Sequence, residues 1–249
     1  MSFADVLVRV VPSASEELER LSQAVDLSQR FRARLGGVFV ATKSDGKQED
    51  WAKTLFDRAV SRTSLETTWR VVDGHSSAAL LFQARRSDLA ILPPVGLIPG
   101  LACQAPELIG LDSGGPVLIL PRPSEAMSIG HRILIGWNDT RQAARAIHDA
   151  MPILVNADSV CVLSVVTDDG LEPLADRRLA DHLTQHGVCV NLARRHGDAA
   201  EEIAAEAREQ EADILVIGLR GGEPGSEGPL GDVTRRFVRT VSLPVFLSR

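Results

Sequence analysis

Short apolar runs alternate with amphipathic stretches along the whole chain. Residues 6–11 form an apolar run closed by Pro12-Ser13-Ala14-Ser15, and Leu18, Leu21 and Val25 then recur at helical spacing to about Arg34. A second strand is expected at residues 37–41. A polar loop, 42–50, leads to a helix with Ala52, Leu55, Phe56 and Ala59 on one side. Residues 67–72 read as a third strand stopped at Gly74, and 77–86 as a helix. Residues 89–92 read as a fourth strand broken by Pro93-Pro94, 104–111 as a weak helix, and 116–120 as a fifth strand.

Pro121-Arg122-Pro123-Ser124 reads as a linker, after which the same order begins again. Strands are expected at 133–137, 159–166, 188–193, 214–217 and 243–247. Helices between them are marked by Ala143, Ala146, Ile147 and Ala150, by Leu174, Leu179 and Leu183, by Asp198 and Glu201 as a capping box, and by Val233, Phe237, Val238 and Val241. The halves align: VLVRVV with ILIGWN, RVVDGHSSA with ARRHGDAAE, SDLAIL with ADILVI, GGPVLIL with SLPVFLS. A repeat this long means two similar domains, 1–122 and 130–249, and strands alternating with helices imply parallel sheets covered on both faces.

Composition narrows the classes. The 249 residues are 44% hydrophobic and 24% charged, as in ordinary globular chains. A net charge of −6 argues against a sequence-independent grip on nucleic acid. Cys103, Cys161 and Cys189 are scattered, without zinc or CxxC spacing, which favours a reduced cytoplasmic setting. The first residues lack the pattern of a secretion signal, and no run approaches a membrane span.

The most informative stretch is 212–249. An apolar strand ends at Gly218, a glycine-rich loop follows, and a helix opens near Asp232. Strand, glycine loop and helix start bring backbone amides and a positive dipole end to one point, which suits phosphate. Two residues separate Gly218 from Gly221, and nine separate Gly221 from Gly231. This spacing resembles the ATP-binding loop of the universal stress protein family: Gly, two residues, Gly, nine residues, Gly, then Ser or Thr. With the repeat, the chain is similar to the tandem form of that family. The resemblance implies two flavodoxin-like (adenine nucleotide hydrolase-like) α/β domains, each a five-stranded parallel sheet, whose last strands meet as an intramolecular pseudo-dimer. A homodimer of two such chains stays open.

Ligands of such sheets lie at the carboxyl ends of the strands. That places Asn138, Val166, His196 and Gly218 in the candidate site, with Thr140 beyond Asn138 and Gly221, Gly231, Asp232, Val233 and Thr234 along the loop and helix start. Two positions depart from the family pattern: Asn138 stands for an Asp, and Asp232 for the hydroxyl residue. Asp232 beside a triphosphate is repulsive unless a cation intervenes, so it is a candidate Mg²⁺ ligand as well as an N-cap; Thr234 is a candidate for the missing hydroxyl. Arg235 and Arg236 sit against the dipole, a conflict that an anionic ligand or Asp232 would relieve. In the first half no glycine triplet fits, and Pro93 and Pro94 remove amides, so no nucleotide is expected there and that half is read as structural.

The expectation is a cytoplasmic stress-response protein that binds ATP or a related adenine nucleotide, with Mg²⁺, in its second domain, regulating by binding and turning ATP over slowly at most. The alternative is an interaction module of the same fold that has lost the nucleotide. The DSGGP segment at Ser113 resembles a serine-protease motif, but no matching His segment accompanies it and the pattern is α/β. His182 and His186 lie four apart without a zincin Glu and are expected on a solvated helix face.

Overall fold

The structure, a computed structural model, describes residues 2–12, 15–41, 46–73, 77–94, 106–121, 128–166, 173–221, 231–240 and 243–249. They form two compact units, Met1–Ser128 and Ile129–Arg249. The first runs β1 (Asp5–Val10), α1 (Ser15–Phe31), β2 (Arg34–Ala41), α2 (Gly46–Val60), β3 (Thr67–Asp73), α3 (Ser77–Ala84), β4 (Leu89–Leu92), α4 (Pro106–Ser113) and β5 (Val117–Ile119). The second runs β6 (Arg132–Trp137), α5 (Arg141–Leu154), β7 (Ser159–Val166), α6 (Pro173–Gln185), β8 (Val190–His196), α7 (Ala199–Glu209), β9 (Ile214–Gly218), α8 (Asp232–Thr240) and β10 (Val245–Ser248).

The first unit orders its strands β3-β2-β1-β4-β5, and the second β8-β7-β6-β9-β10. Neighbours within each unit pair in parallel. Each unit is a flavodoxin-like α/β fold. Strands such as β1, β4 and β9 bury consecutive residues, because helices cover both faces of a parallel sheet. Every residue of the outer strand β8 is exposed or half-buried, which lets it carry Arg194, Arg195 and His196 beyond the apolar stretch that marked it.

Other boundaries moved by a few residues. α2 begins at Gly46, inside the stretch expected as loop. α4 spans Pro106–Ser113, because proline suits a first helical turn, where its missing N–H has no intrahelical partner to lose. Of the expected linker 121–124, residues 122–124 lie outside the described residues, as do most of the glycine loop, 222–230, Cys103 and Val241.

One polar device recurs in both units. Asp213, just before β9, accepts hydrogen bonds from the amides of Gly130 (3.0 Å), His131 (2.9 Å) and Arg132 (3.2 Å). Asp88, just before β4, accepts from Ala4 (2.7 Å) and Asp5 (3.0 Å). Each carboxylate ties the entry of the unit's first strand to the entry of its fourth, and the backbone adds Asp213 N to Arg132 O and Asp88 N to Asp5 O, both 2.8 Å. The SDL and ADI segments that aligned in sequence are therefore the same clamp.

A second network stiffens the outer part of the second unit. Glu206 of α7, 4% exposed, accepts from Arg195 Nε at 2.5 Å and Gln210 Nε2 at 2.8 Å, with Cys161 Sγ 3.8 Å away. Burial pushes the Glu206 carboxyl up, but its hydrogen bonds to Arg195 and Gln210 outweigh that, and the net shift is downward. Burial, and then the Glu206 charge, push the Cys161 thiol up to about 12. Cys161 is thus a packing residue held as a thiol; Cys189 is exposed and free.

Two outcomes follow. Asp213→Ala removes a charged acceptor from three amides and is expected to lower unfolding free energy by about 1.5–3 kcal/mol in urea titration. Iodoacetamide at pH 8, read by peptide mass spectrometry, is expected to alkylate Cys189 in the native protein within minutes, and Cys161 only after denaturant is added.

Candidate functional site

The site lies in the second unit, at the carboxyl ends of β6 and β9. These strands are neighbours, but the chain leaves β6 toward β7 and β8 before returning to β9. Strand ends on the two sides of such a reversal diverge in their connections and leave a crevice. A cavity of about 310 Å³ occupies it. Its floor includes Gly136 and Ile217, which pair in register, with Leu163 and Val165 from β7. One wall is the start of α7, Ala199 and Ile203; the other is the start of α5, Thr140 and Gln142. Arg220 and the first turn of α8 close the remaining side.

Missing side chains shape this space. A Cβ on Gly136 would stand 2.9 Å from Ile217 Cγ2 and 3.4 Å from Ile203 Cδ1. A Cβ on Gly218 would stand 2.6 Å from the Gln142 carbonyl carbon and the Ala143 nitrogen. Gly218 is therefore required by the close approach of α5 to β9, whatever ligand is bound. At Gly231 an added Cβ meets only Arg220 side-chain atoms at 3.6 Å or more, and fits.

Seven of the expected residues line the cleft: Asn138, Thr140, Gly218, Gly231, Asp232, Val233 and Thr234. Thr140 caps α5: its Oγ1 accepts from the Ala143 amide at 3.3 Å and donates to Asn138 Oδ1 at 2.7 Å. Between them Asp139 adopts a φ of +52°, which turns the chain sharply off β6. Asn138 is thereby exposed at the rim with its amide group oriented by Thr140.

Three expected residues do not line it. Val166 and His196 pair in register at the ends of β7 and β8. Side chains alternate along a strand, so the cleft takes Val165 and leaves Val166 on the opposite face; its register partner His196 shares that face, on the outermost strand. Gly221 lies just past Arg220, outside the cleft lining.

The start of α8 differs from its sequence reading. The first helical bond runs from Arg235 N to Gly231 O at 3.0 Å, so Gly231 is the N-cap and Asp232 the first helical residue. The Asp232 carboxylate, 89% exposed, pairs with Arg235. Arg236 reaches Asp198 at 3.2 Å and Glu201 at 3.4 Å, at the start of α7. Carboxylates of the protein itself thus offset both arginines that opposed the dipole. Asp198 also caps α7 through the Glu201 amide at 2.9 Å, as the capping-box spacing implied. Thr234, 4% exposed, donates its hydroxyl to Gly218 O at 3.4 Å, fastening α8 to the end of β9.

Sequence reasoning missed the apolar floor and Arg220. The signal for the floor was a lone glycine, Gly136, inside an apolar strand, which marks a close backbone approach. It also missed Trp137, 7% exposed, whose indole N–H has no hydrogen-bond partner among the described residues although the residue lines the cleft. The ionisable residues among the described lining are Arg220 and Asp232.

The remaining motifs fall elsewhere. Ser113 ends α4 and its hydroxyl turns back onto Gly115. The α6 histidines are not simply solvated: His182 is half-buried, stacked edge-on against His148 of α5 at 5.6 Å and His186 at 4.8 Å. Among the described residues no three His, Cys, Asp or Glu side chains are placed to hold a metal ion, and no helix is long and apolar enough to cross a membrane.

Known proteins agree with this architecture. The model of the universal stress protein family matches residues 166–249. No curated protein matches the sequence. A universal stress protein from Archaeoglobus fulgidus DSM 4304 superposes with a TM-score of 0.74 at 17% identity, over 98% of this chain and 98% of that one. A functionally unknown protein from Pseudomonas aeruginosa PAO1 gives 0.70 at 17% identity, over 99% and 92%. Likeness at this identity is likeness of fold. The family model thus matches most of the second unit, and the fold shared with these solved structures is that of both units.

Proposed function

We propose that the second unit binds an adenine nucleotide in the cleft between β6 and β9 and that the protein acts as a nucleotide-responsive regulator. The observation that carries the reading is the convergence of a strand-end crevice with the first turn of α8. The amides of Asp232, Val233 and Thr234 have no acceptor within their own helix, and all three residues line the cleft. Ile203, Ile217 and Val165 supply an apolar bed of the kind a flat base packs on. Asn138 at the rim offers both a donor and an acceptor.

Asp232 decides how charge is handled. Its exposed carboxylate beside the α8 amides repels phosphate, and Mg²⁺ held between that carboxylate and phosphate oxygens removes the repulsion. Arg235 already offsets part of it. Among the described residues of the cleft, the one carboxylate is exposed and ion-paired, which suits binding and slow turnover at most. The second reading, an interaction module without nucleotide, is favoured by one feature: the Gly231 amide donates to Arg220 O at 3.1 Å, so that donor is engaged within the protein.

Titration calorimetry of the full chain with ATP, with and without Mg²⁺, separates the two. The nucleotide reading expects measurable heat and a raised melting temperature; ligand at about 100 times its Kd stabilises by about 2.7 kcal/mol. Absence of both at millimolar ATP and AMP selects the interaction module. Asp232→Ser is expected to tighten Mg²⁺-free ATP by about three- to tenfold and to weaken the dependence on Mg²⁺.

A further inference from the structure

The two units repeat one fold, so each cleft residue has a counterpart that strand register identifies. Ile133 of β6 pairs with Val160 and Ile214; Val6 of β1 pairs with Leu35 and Leu89. Val6 therefore corresponds to Ile133, and three residues on, Arg9 corresponds to Gly136. The same count sets Pro93 against Gly218. In the last strands Val117 of β5 lies against Ala90 and Val245 of β10 against Leu215, and Pro106 opens α4 as Asp232 opens α8.

Gly136 is the floor of the cleft, and a single carbon there would already touch Ile217 and Ile203. Its counterpart carries the longest of the basic side chains. Arg9 is nevertheless 3% exposed, and it is engaged by the protein rather than free. Its direction follows from the pleat. Val8 pairs with Gly37, whose Cβ would strike Phe56 of α2, so Val8 faces α2 and Arg9 faces the other side of the sheet. In the second unit the face of Gly136 is covered by α7, which follows the third strand; α3 follows the third strand in the first unit.

A guanidinium is buried only when it is compensated. Arg9 is thus buried on the face of its sheet that corresponds to the cleft face at Gly136. Pro93 and Pro106 remove amides at the strand end and the helix start that would face a ligand.

We infer that Arg9 is a built-in plug, that Gly136 is the residue that opens the cleft, and that the chain consequently takes one nucleotide and not two. This rests on the nucleotide reading of the second unit and adds to it a stoichiometry and a determining residue. The test is calorimetry of ATP with Mg²⁺ on the full chain, beside Gly136→Arg. One equivalent is expected for the unaltered protein. Gly136→Arg is expected to bind nothing at millimolar nucleotide while keeping its far-ultraviolet circular dichroism and a cooperative melt. If that variant does not fold, Val165→Trp fills the same cleft from the half-buried β7 position in its floor, and the same loss is expected. Two equivalents in the unaltered protein, or retained affinity in both folded variants, overturns the inference while leaving the nucleotide reading intact. Absence of any binding to the unaltered protein overturns the nucleotide reading and this inference with it.

Discussion

The second unit depends on how closely the first turn of α5 approaches the end of β9. At Gly218 a hypothetical Cβ lies 2.6 Å from backbone atoms of Gln142 and Ala143, and backbone does not move aside as a side-chain tip does. This approach sets the depth of the crevice and one of its walls. It also fixes where β9 ends, and hence where the Gly218 carbonyl meets the Thr234 hydroxyl at 3.4 Å. A glycine that looks like part of a phosphate loop is first of all a packing requirement. The ligand chemistry is built on a constraint that the fold needs in any case.

Electrostatics at the cleft mouth are nearly self-contained. Asp232 faces Arg235, and Arg236 faces Asp198 and Glu201. Cations in the first turn of a helix are unfavourable by themselves, and each is offset by a carboxylate held nearby. A ligand entering such a mouth meets backbone donors and an apolar bed more than a net positive field. Arg220 is the basic residue of the described lining, and it too has its own interaction within the protein.

The two units show one architecture with opposite interiors at one position. Both use an aspartate clamp, Asp88 and Asp213, to lock the first strand to the fourth. Where the second unit has Gly136, the first has a buried Arg9. Sheets tolerate this because the backbone ladder does not depend on the side chain, while the volume above the strand does. Duplication can preserve a fold while the side chains at one end of its two sheets diverge.

Much of this was legible in the linear chain. Alternating apolar runs and helical stripes located the strands, because a parallel sheet buries consecutive residues and a surface helix buries every third or fourth. The four aligned segments exposed the repeat, and the glycine spacing pointed to the turn between β9 and α8. What the chain could not express was direction and distance. Val166 and His196 end strands of the right sheet yet point to the wrong face, which depends on pleat phase in three dimensions. Asp232 has the composition of a cap, but the first helical hydrogen bond starts at Gly231. Sequence alone determined the fold class and the repetition of its strand order, since those follow from local periodicity. Tertiary structure decided which strand-end side chains share one cavity, which charges cancel, and that Gly136 lines a cleft while its counterpart Arg9 is buried, since those depend on contacts between residues distant along the chain.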